Sequence, residues 1–198
     1  MTRALVVLGD GIAGGYGDAR RLGWVGRVLA RSALTEPDFV AVLPVPGETT
    51  TQLASRWSAE SGRRWAGVGA GAGERRLLLA PGAWDPASGI SLARTRLNLA
   101  NILDEAIAQR LSVFFVGPAP TLRGDDDAVA ALDGACYEVC DRRGIPYAAL
   151  YASLKADERW QADLGASDGV HPSQVGHGMI AHVVMAQGWH DWYGSAEA

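Results

Sequence analysis

The sequence predicts an α/β fold, a three-layer α/β/α sandwich around a five-stranded parallel sheet. Three observations carry that expectation. Short apolar runs rich in β-branched residues alternate with amphipathic stretches of about ten residues or more, the pattern of parallel strands joined by crossover helices. Each of the first four runs breaks into glycine or proline, as a strand does when it delivers a loop. The length, 198 residues, suits one well-buried core and is short for two, so a single domain over residues 1–198 is expected.

Taken in order, Val6-Val7-Leu8 is the first strand, and it opens into Gly9-Asp10-Gly11. Gly23 and the helical recurrence of Trp24, Val25, Val28, Leu29 and Ser32 give a first helix that ends before Pro37. Phe39-Val40-Ala41-Val42-Leu43 is a second strand that ends in a turn at Pro44, Pro46 and Gly47. Helical character resumes over residues 49–57. Residues 62–73 are glycine-rich, flanked by Arg63, Arg64, Arg75 and Arg76, and show neither period, which predicts a mobile surface loop. A phosphate cradle at Gly69-Ala70-Gly71-Ala72-Gly73 is disfavoured, because no strand precedes it and no Gly-Lys-Ser/Thr follows.

Leu77-Leu78-Leu79-Ala80 is the third strand and runs into a turn, Pro81 to Pro86. Residues 92–110 form the longest expected helix, with Leu92, Leu99, Ile102, Leu103 and Ala106 as its apolar stripe. Ser112 to Val116 is the fourth strand, followed by a helix over 126–143, a short fifth strand over 146–150 and a closing helix over 173–189.

A net charge of −4 and an isoelectric point near 5.5 leave no basic stripe, so nucleic acid is not an expected partner. No transmembrane span is expected. The apolar run after Arg3 is shorter than the core of a secretory signal, which points to a cytoplasmic location. Cys136 and Cys140 share one helix face without further ligands nearby, so they read as small buried hydrophobes. Neither a metal nor a cofactor is expected.

In a sheet of this kind the ligand site lies outside the carboxyl ends of the strands. Gly9-Asp10-Gly11, Gly47-Glu48-Thr49 and Gly82-Ala83-Trp84-Asp85 should therefore converge. A fourth piece is Ser167-Asp168-Gly169-Val170-His171-Pro172-Ser173, where an acid and a histidine three apart sit in a Gly/Pro turn. That spacing lets Asp168 hold one imidazole nitrogen of His171 and leaves the other free as a base. His177, His182 and His190 are assigned no chemistry.

The order of these four blocks resembles the SGNH hydrolase family, the GDSL-type esterases and lipases, whose sheet is flavodoxin-like. The likeness runs from Gly9 to Pro172 and includes Val116-Gly117-Pro118. It implies that Asp168 and His171 are the acid and base of a triad, that Gly47 is the second-block glycine amide, and that Gly82 and Asp85 are the ends of the third block. Two departures stand out. Gly11 occupies the position of the nucleophilic serine, and Trp84 that of the oxyanion-hole asparagine.

Without a hydroxyl at position 11 the acyl-enzyme route has no attacking atom. Thr49, Thr50, Thr51 and Ser173 are nearby hydroxyls, and none has a reason to substitute. Three readings stay open: a serine-to-glycine knockout of an ordinary GDSL esterase, an enzyme whose Asp168–His171 dyad has been given a new task, and a binding module that no longer turns over. The second is preferred, since a pure binder needs no base held in a dyad. Glycine at 11 leaves about one small polar group's volume beside the imidazole, room for a water or a substrate hydroxyl. The Gly11 amide remains a candidate oxyanion donor, and the Trp84 indole can donate while walling off solvent. A small, partly apolar substrate is expected, with Trp24 and Trp84 near it. Oligomeric state is left open.

Overall fold

The computed structural model describes residues 2–32, 38–68 and 72–194. In chain order the elements are β1 (Thr2–Gly9), α1 (Gly23–Leu29), β2 (Phe39–Pro44), α2 (Thr50–Val68), β3 (Ala72–Ala80), α3 (Trp84–Ala87), α4 (Leu92–Ala108), β4 (Ser112–Val116), α5 (Asp126–Asp141), β5 (Tyr147–Ala148), α6 (Leu150–Leu154), α7 (Glu158–Gly165), α8 (Gln174–Val184) and α9 (His190–Tyr193). The strands form one sheet in the order β2-β1-β3-β4-β5, and every neighbouring pair is parallel. This is the three-layer α/β arrangement that the sequence predicts.

The strands alternate between two apolar layers, as a sheet covered on both faces requires. Leu5, Val7, Leu78, Phe114 and Val116 join Trp24 and Val28 of α1 and Ile180 and Val184 of α8 in one core. Val6, Leu8, Leu77, Leu79 and Phe115 join Leu53 and Trp57 of α2, Leu99 and Leu103 of α4 and Leu132 of α5 in the other. Because order reverses at β1, with β2 on one side and β3 on the other, a crevice opens beyond the carboxyl ends of β1 and β3.

The structure differs from the sequence expectation in several elements. Helix α2 continues through residues 62–68, and β3 begins at Ala72, so most of the expected glycine-rich loop is regular; only residues 69–71 lie outside the described part of it. Trp65 explains the continuation, since its buried ring donates from Nε1 to the Ala4 carbonyl (3.2 Å) and holds the last turns of α2 on the sheet. The longest helix is therefore α2, with 19 residues, and α4 has 17. Within the expected turn over residues 81–86, α3 forms a short helix that starts at Trp84. Helices α6 and α7 were not anticipated. The closing helix is interrupted at Gln187 and Gly188, where Gly188 takes φ 94°. The end of the first expected helix, at residues 33–37, falls outside the described residues.

Candidate active site

The loop after β1 is organised by the Asp10 carboxylate. Ile12 N–H donates to Oδ1 (3.0 Å), and the Trp84 indole Nε1–H donates to Oδ2 (2.8 Å). Asp10 is buried, and burial raises its pKa against the pull of these donors. Gly82 faces the same carboxylate, and a Cβ there would collide with it. Trp84 thus does not offer its N–H to a substrate oxygen: a buried carboxylate needs the donor more, and the indole serves as a fixed wall.

Asp168 and His171 meet as their spacing implies. Asp168 Oδ2 lies 2.7 Å from His171 Nδ1, while Oδ1 accepts from the N–H groups of Val170 (2.9 Å) and His171 (2.8 Å). The His171 amide, the His171 ring and the Val170 amide together hold the Asp168 carboxyl well below the usual carboxylate range. A carboxylate on Nδ1 favours the tautomer with its proton there, which leaves the Nε2 lone pair free. Nε2 is buried and has no hydrogen-bond partner among the described residues. It points at Gly11, where an ideal Cβ would stand 3.2 Å away.

Tyr16 is not among the residues that the four blocks single out. Its ring packs on the His171 imidazole with centroids 4.3 Å apart and planes tilted by 53°, although the residue is 58% exposed. The Tyr16 backbone is fixed, since its N–H donates to the Gly11 carbonyl (2.9 Å) and its carbonyl accepts from His177 Nε2 (3.0 Å). His177 is therefore a buried anchor. Gly11 and Tyr16 also line a cavity of about 270 Å³ with Gly14, Gly15, Arg21, Pro44 and Pro46, so the space beside Gly11 is bounded by the Tyr16 side chain. The flanking pair Gly15 and Gly17, both at positive φ, was the sequence signal for such a built turn.

Asp10, Gly82 and Trp84 line one cavity of about 120 Å³, with Ile12, Ala119, Val170 and Arg123. A second, apolar hollow that contains Trp24 and Leu150 adjoins it behind Asp10. The Trp84 and His171 rings lie 6.5 Å apart, which joins cavity and dyad. Asp85 is elsewhere. Buried beneath α3, it accepts from Thr50 N (2.7 Å), Thr50 Oγ1 (2.6 Å) and Thr95 Oγ1, so it caps α2 and does not line this cavity. Gly47 sits in the turn after β2 at φ 76°, next to Glu48, whose buried carboxylate pairs with Arg56. The amides of Gly11 and Gly47 have no hydrogen-bond partner among the described residues.

The four hydroxyls weighed as substitutes are all engaged. Thr49 Oγ1 meets Gln52 Oε1, Thr50 Oγ1 meets Asp85, Thr51 Oγ1 accepts from Asn98 Nδ2, and Ser173 Oγ caps α8 at Val175 N. Cys136 and Cys140 are buried and free. Among the described residues no group of His, Cys, Asp or Glu could hold a metal ion, and no helix is long and apolar enough to cross a membrane.

A parallel sheet with loops gathered at its switch point, and an acid–histidine pair delivered just before the last long helix, defines the SGNH class of α/β folds. The chain matches the model of the GDSL-like Lipase/Acylhydrolase family over residues 7–179, and it belongs to that family. Among solved structures it is similar to a lipase/acylhydrolase from Enterococcus faecalis (22% identity, 99% of this chain and 100% of that one, TM-score 0.76). It is also similar to TesA (18% identity, 94% and 98%, TM-score 0.74). A third is the acetylxylan esterase Axe2 from Geobacillus stearothermophilus (17% identity, 93% of each chain, TM-score 0.69). No curated protein sequence matches.

Proposed function

We propose that this chain is an SGNH-type enzyme given a new task, with Gly11 at the family's nucleophile position and Asp168–His171 acting as a general base on a small, partly apolar substrate. The observation that carries this reading is the orientation of His171: Nδ1 is held at 2.7 Å by Asp168, and the unpartnered Nε2 faces Gly11. In direct ester hydrolysis Nε2 takes a proton from water, the hydroxide adds to the carbonyl carbon, and Asp168 stabilises the imidazolium. The oxyanion falls to the amides of Gly11 and Gly47. Collapse then expels the alkoxide, which recovers the proton from Nε2. Abstraction of a substrate proton in an isomerisation, elimination or cyclisation uses the same base. Either route leaves the Tyr16 ring against the imidazole as one wall of the site.

Hydrolysis of p-nitrophenyl acetate tests the reading. Wild-type protein should turn over slowly without a burst, and His171→Ala should abolish turnover; unchanged turnover in that variant would sink the proposal. Asp168→Asn should lower it by about 10²-fold or more through the wrong tautomer. A serine at 11 requires the imidazole to yield by a few tenths of an ångström. Gly11→Ser should then give a burst of one p-nitrophenolate per site, as long as the two amides still hold an oxyanion.

A non-catalytic binding module is the second reading. It is favoured by the covered Nε2 and by the indole N–H being committed to Asp10. Saturable ligand binding with no turnover in either protein would select it. The knockout reading leaves Trp84 without a reason, and only full esterase activity in Gly11→Ser would revive it.

A further inference from the structure

We infer that the cleft selects a substrate that carries a carboxylate, held by Arg123, on an apolar body that packs against Trp84. The inference deepens the general-base reading and rests on it for the reaction, though not for the binding.

Arg123 lies in the loop after β4 and is exposed, yet it is held in place. Its Nε–H donates to the Asp168 carbonyl (2.9 Å), and Thr121 Oγ1 donates to the Arg123 carbonyl (2.6 Å). Leu122 N–H donates to the Gly169 carbonyl (2.8 Å), which ties this loop to the dyad loop. The arginine stem lies over Gly169, where a Cβ would come within 3.3 Å of Cγ. The guanidinium is thereby set at the cavity that also contains Asp10, Gly82, Trp84 and Val170.

With Nε committed to a carbonyl, Nη1 and Nη2 remain. Neither has a partner among the described residues, and their parallel N–H groups match the two oxygens of a carboxylate. The nearby acids do not compete. Asp168 is spent on Val170 N, His171 N and His171 Nδ1, and Asp10 on Ile12 N and Trp84 Nε1. Among the described residues that line the cavity, Arg123 is the one cation. Trp84, Ile12 and Ala119 supply the cavity's apolar lining. Arg123 is itself bonded to the Asp168 carbonyl and the Trp84 ring lies 6.5 Å from the His171 ring, so a substrate anchored on Arg123 and laid along Trp84 lies beside the dyad.

The alternative role for Arg123 is a brace for the dyad loop, and a charge comparison separates the two. Phenylacetate and its neutral analogue 2-phenylethanol are titrated into ¹⁵N-labelled protein while the Trp84 indole resonance, assigned from Trp84→Phe, is followed. Phenylacetate should bind about tenfold more tightly, as a charge-assisted pair of hydrogen bonds implies. That preference should shrink with added salt, vanish in Arg123→Gln and survive in part in Arg123→Lys. Equal affinities in wild-type protein, a preference that persists in Arg123→Gln, or no response of Trp84 to phenylacetate would each overturn the inference. The wild-type comparison decides without any variant, so a dyad loop disturbed by Arg123→Gln does not obscure it. Loss of the preference leaves the His171 reading intact, whereas phenylacetate binding by a wild-type protein that does not hydrolyse p-nitrophenyl acetate defeats that reading and spares this one.

Discussion

Asp85 shows how far a single side chain can depart from the role its motif suggests. It follows Trp84 directly, but successive residues on a helix point about 100° apart, so the indole reaches the cavity wall while the carboxylate turns under α3. There it collects an amide and two hydroxyls. Asp85→Ala would leave these buried donors unpaired and should lower unfolding stability by about 3 kcal/mol, measured by urea denaturation. Thr95→Val should cost less, since Asp85 retains Thr50. The dyad was legible in the sequence because its bonds are local: an acid, a glycine at positive φ and a histidine within one turn. Tyr16 and Arg123 were not, because their partners are 161 and 45 residues away in sequence, and spacing says nothing about such contacts.

At the scale of elements, the strands were read correctly where both faces are buried, since continuous apolar runs have few other uses. Errors cluster where tertiary contact overrides local preference. Gly62 and Gly67 sit inside α2 because Trp65 anchors that end, and Glu74 and Arg75 lie in β3 although charged runs seldom read as strand. Helix α5 carries a testable consequence. Burial pushes the Cys140 thiol up to about 12 and the Cys136 thiol well above its usual range, so neither forms thiolate near neutrality. The native protein should show almost no thiol reactive toward Ellman's reagent at pH 8, and two per chain on unfolding.

At the scale of the whole molecule, buried and bonded ionisable groups set how stability varies with pH. Asp18, bonded by Arg27, and Asp168, bonded by the amide and ring of His171, have folded pKa values below the unfolded value of about 3.9. Their contribution is present above that value and is lost as pH falls through it towards the folded values. Asp10 and Glu48 act in the opposite sense. Burial raises both, Glu48 despite Arg56, so the folded state pays for ionising them and loses stability as pH climbs from their unfolded values. His177 is buried and lowered by that burial, so it adds stability as pH rises through the unfolded histidine value of about 6.5, against the trend from Asp10 and Glu48. The acidic limb is the part set by Asp18 and Asp168, and urea midpoints should rise from pH 2 to pH 5. Asp18→Asn should flatten that limb; a variant whose midpoint falls as steeply in acid as the wild type's would contradict this assignment.

The hydrogen bond from His177 to the Tyr16 carbonyl closes a loop of 161 residues. The entropy of such a closure is about 4.5 kcal/mol on logarithmic scaling, more than the hydrogen bond itself returns. What holds the loop closed is the packing of Trp24 and Val28 against Ile180 and Val184. Whether the imidazole meets Gly11 at all is consequently decided on the far side of α1 and α8, in a seam of aliphatic and indole carbon. Inherited or engineered changes there can silence the dyad without altering any residue that surrounds it.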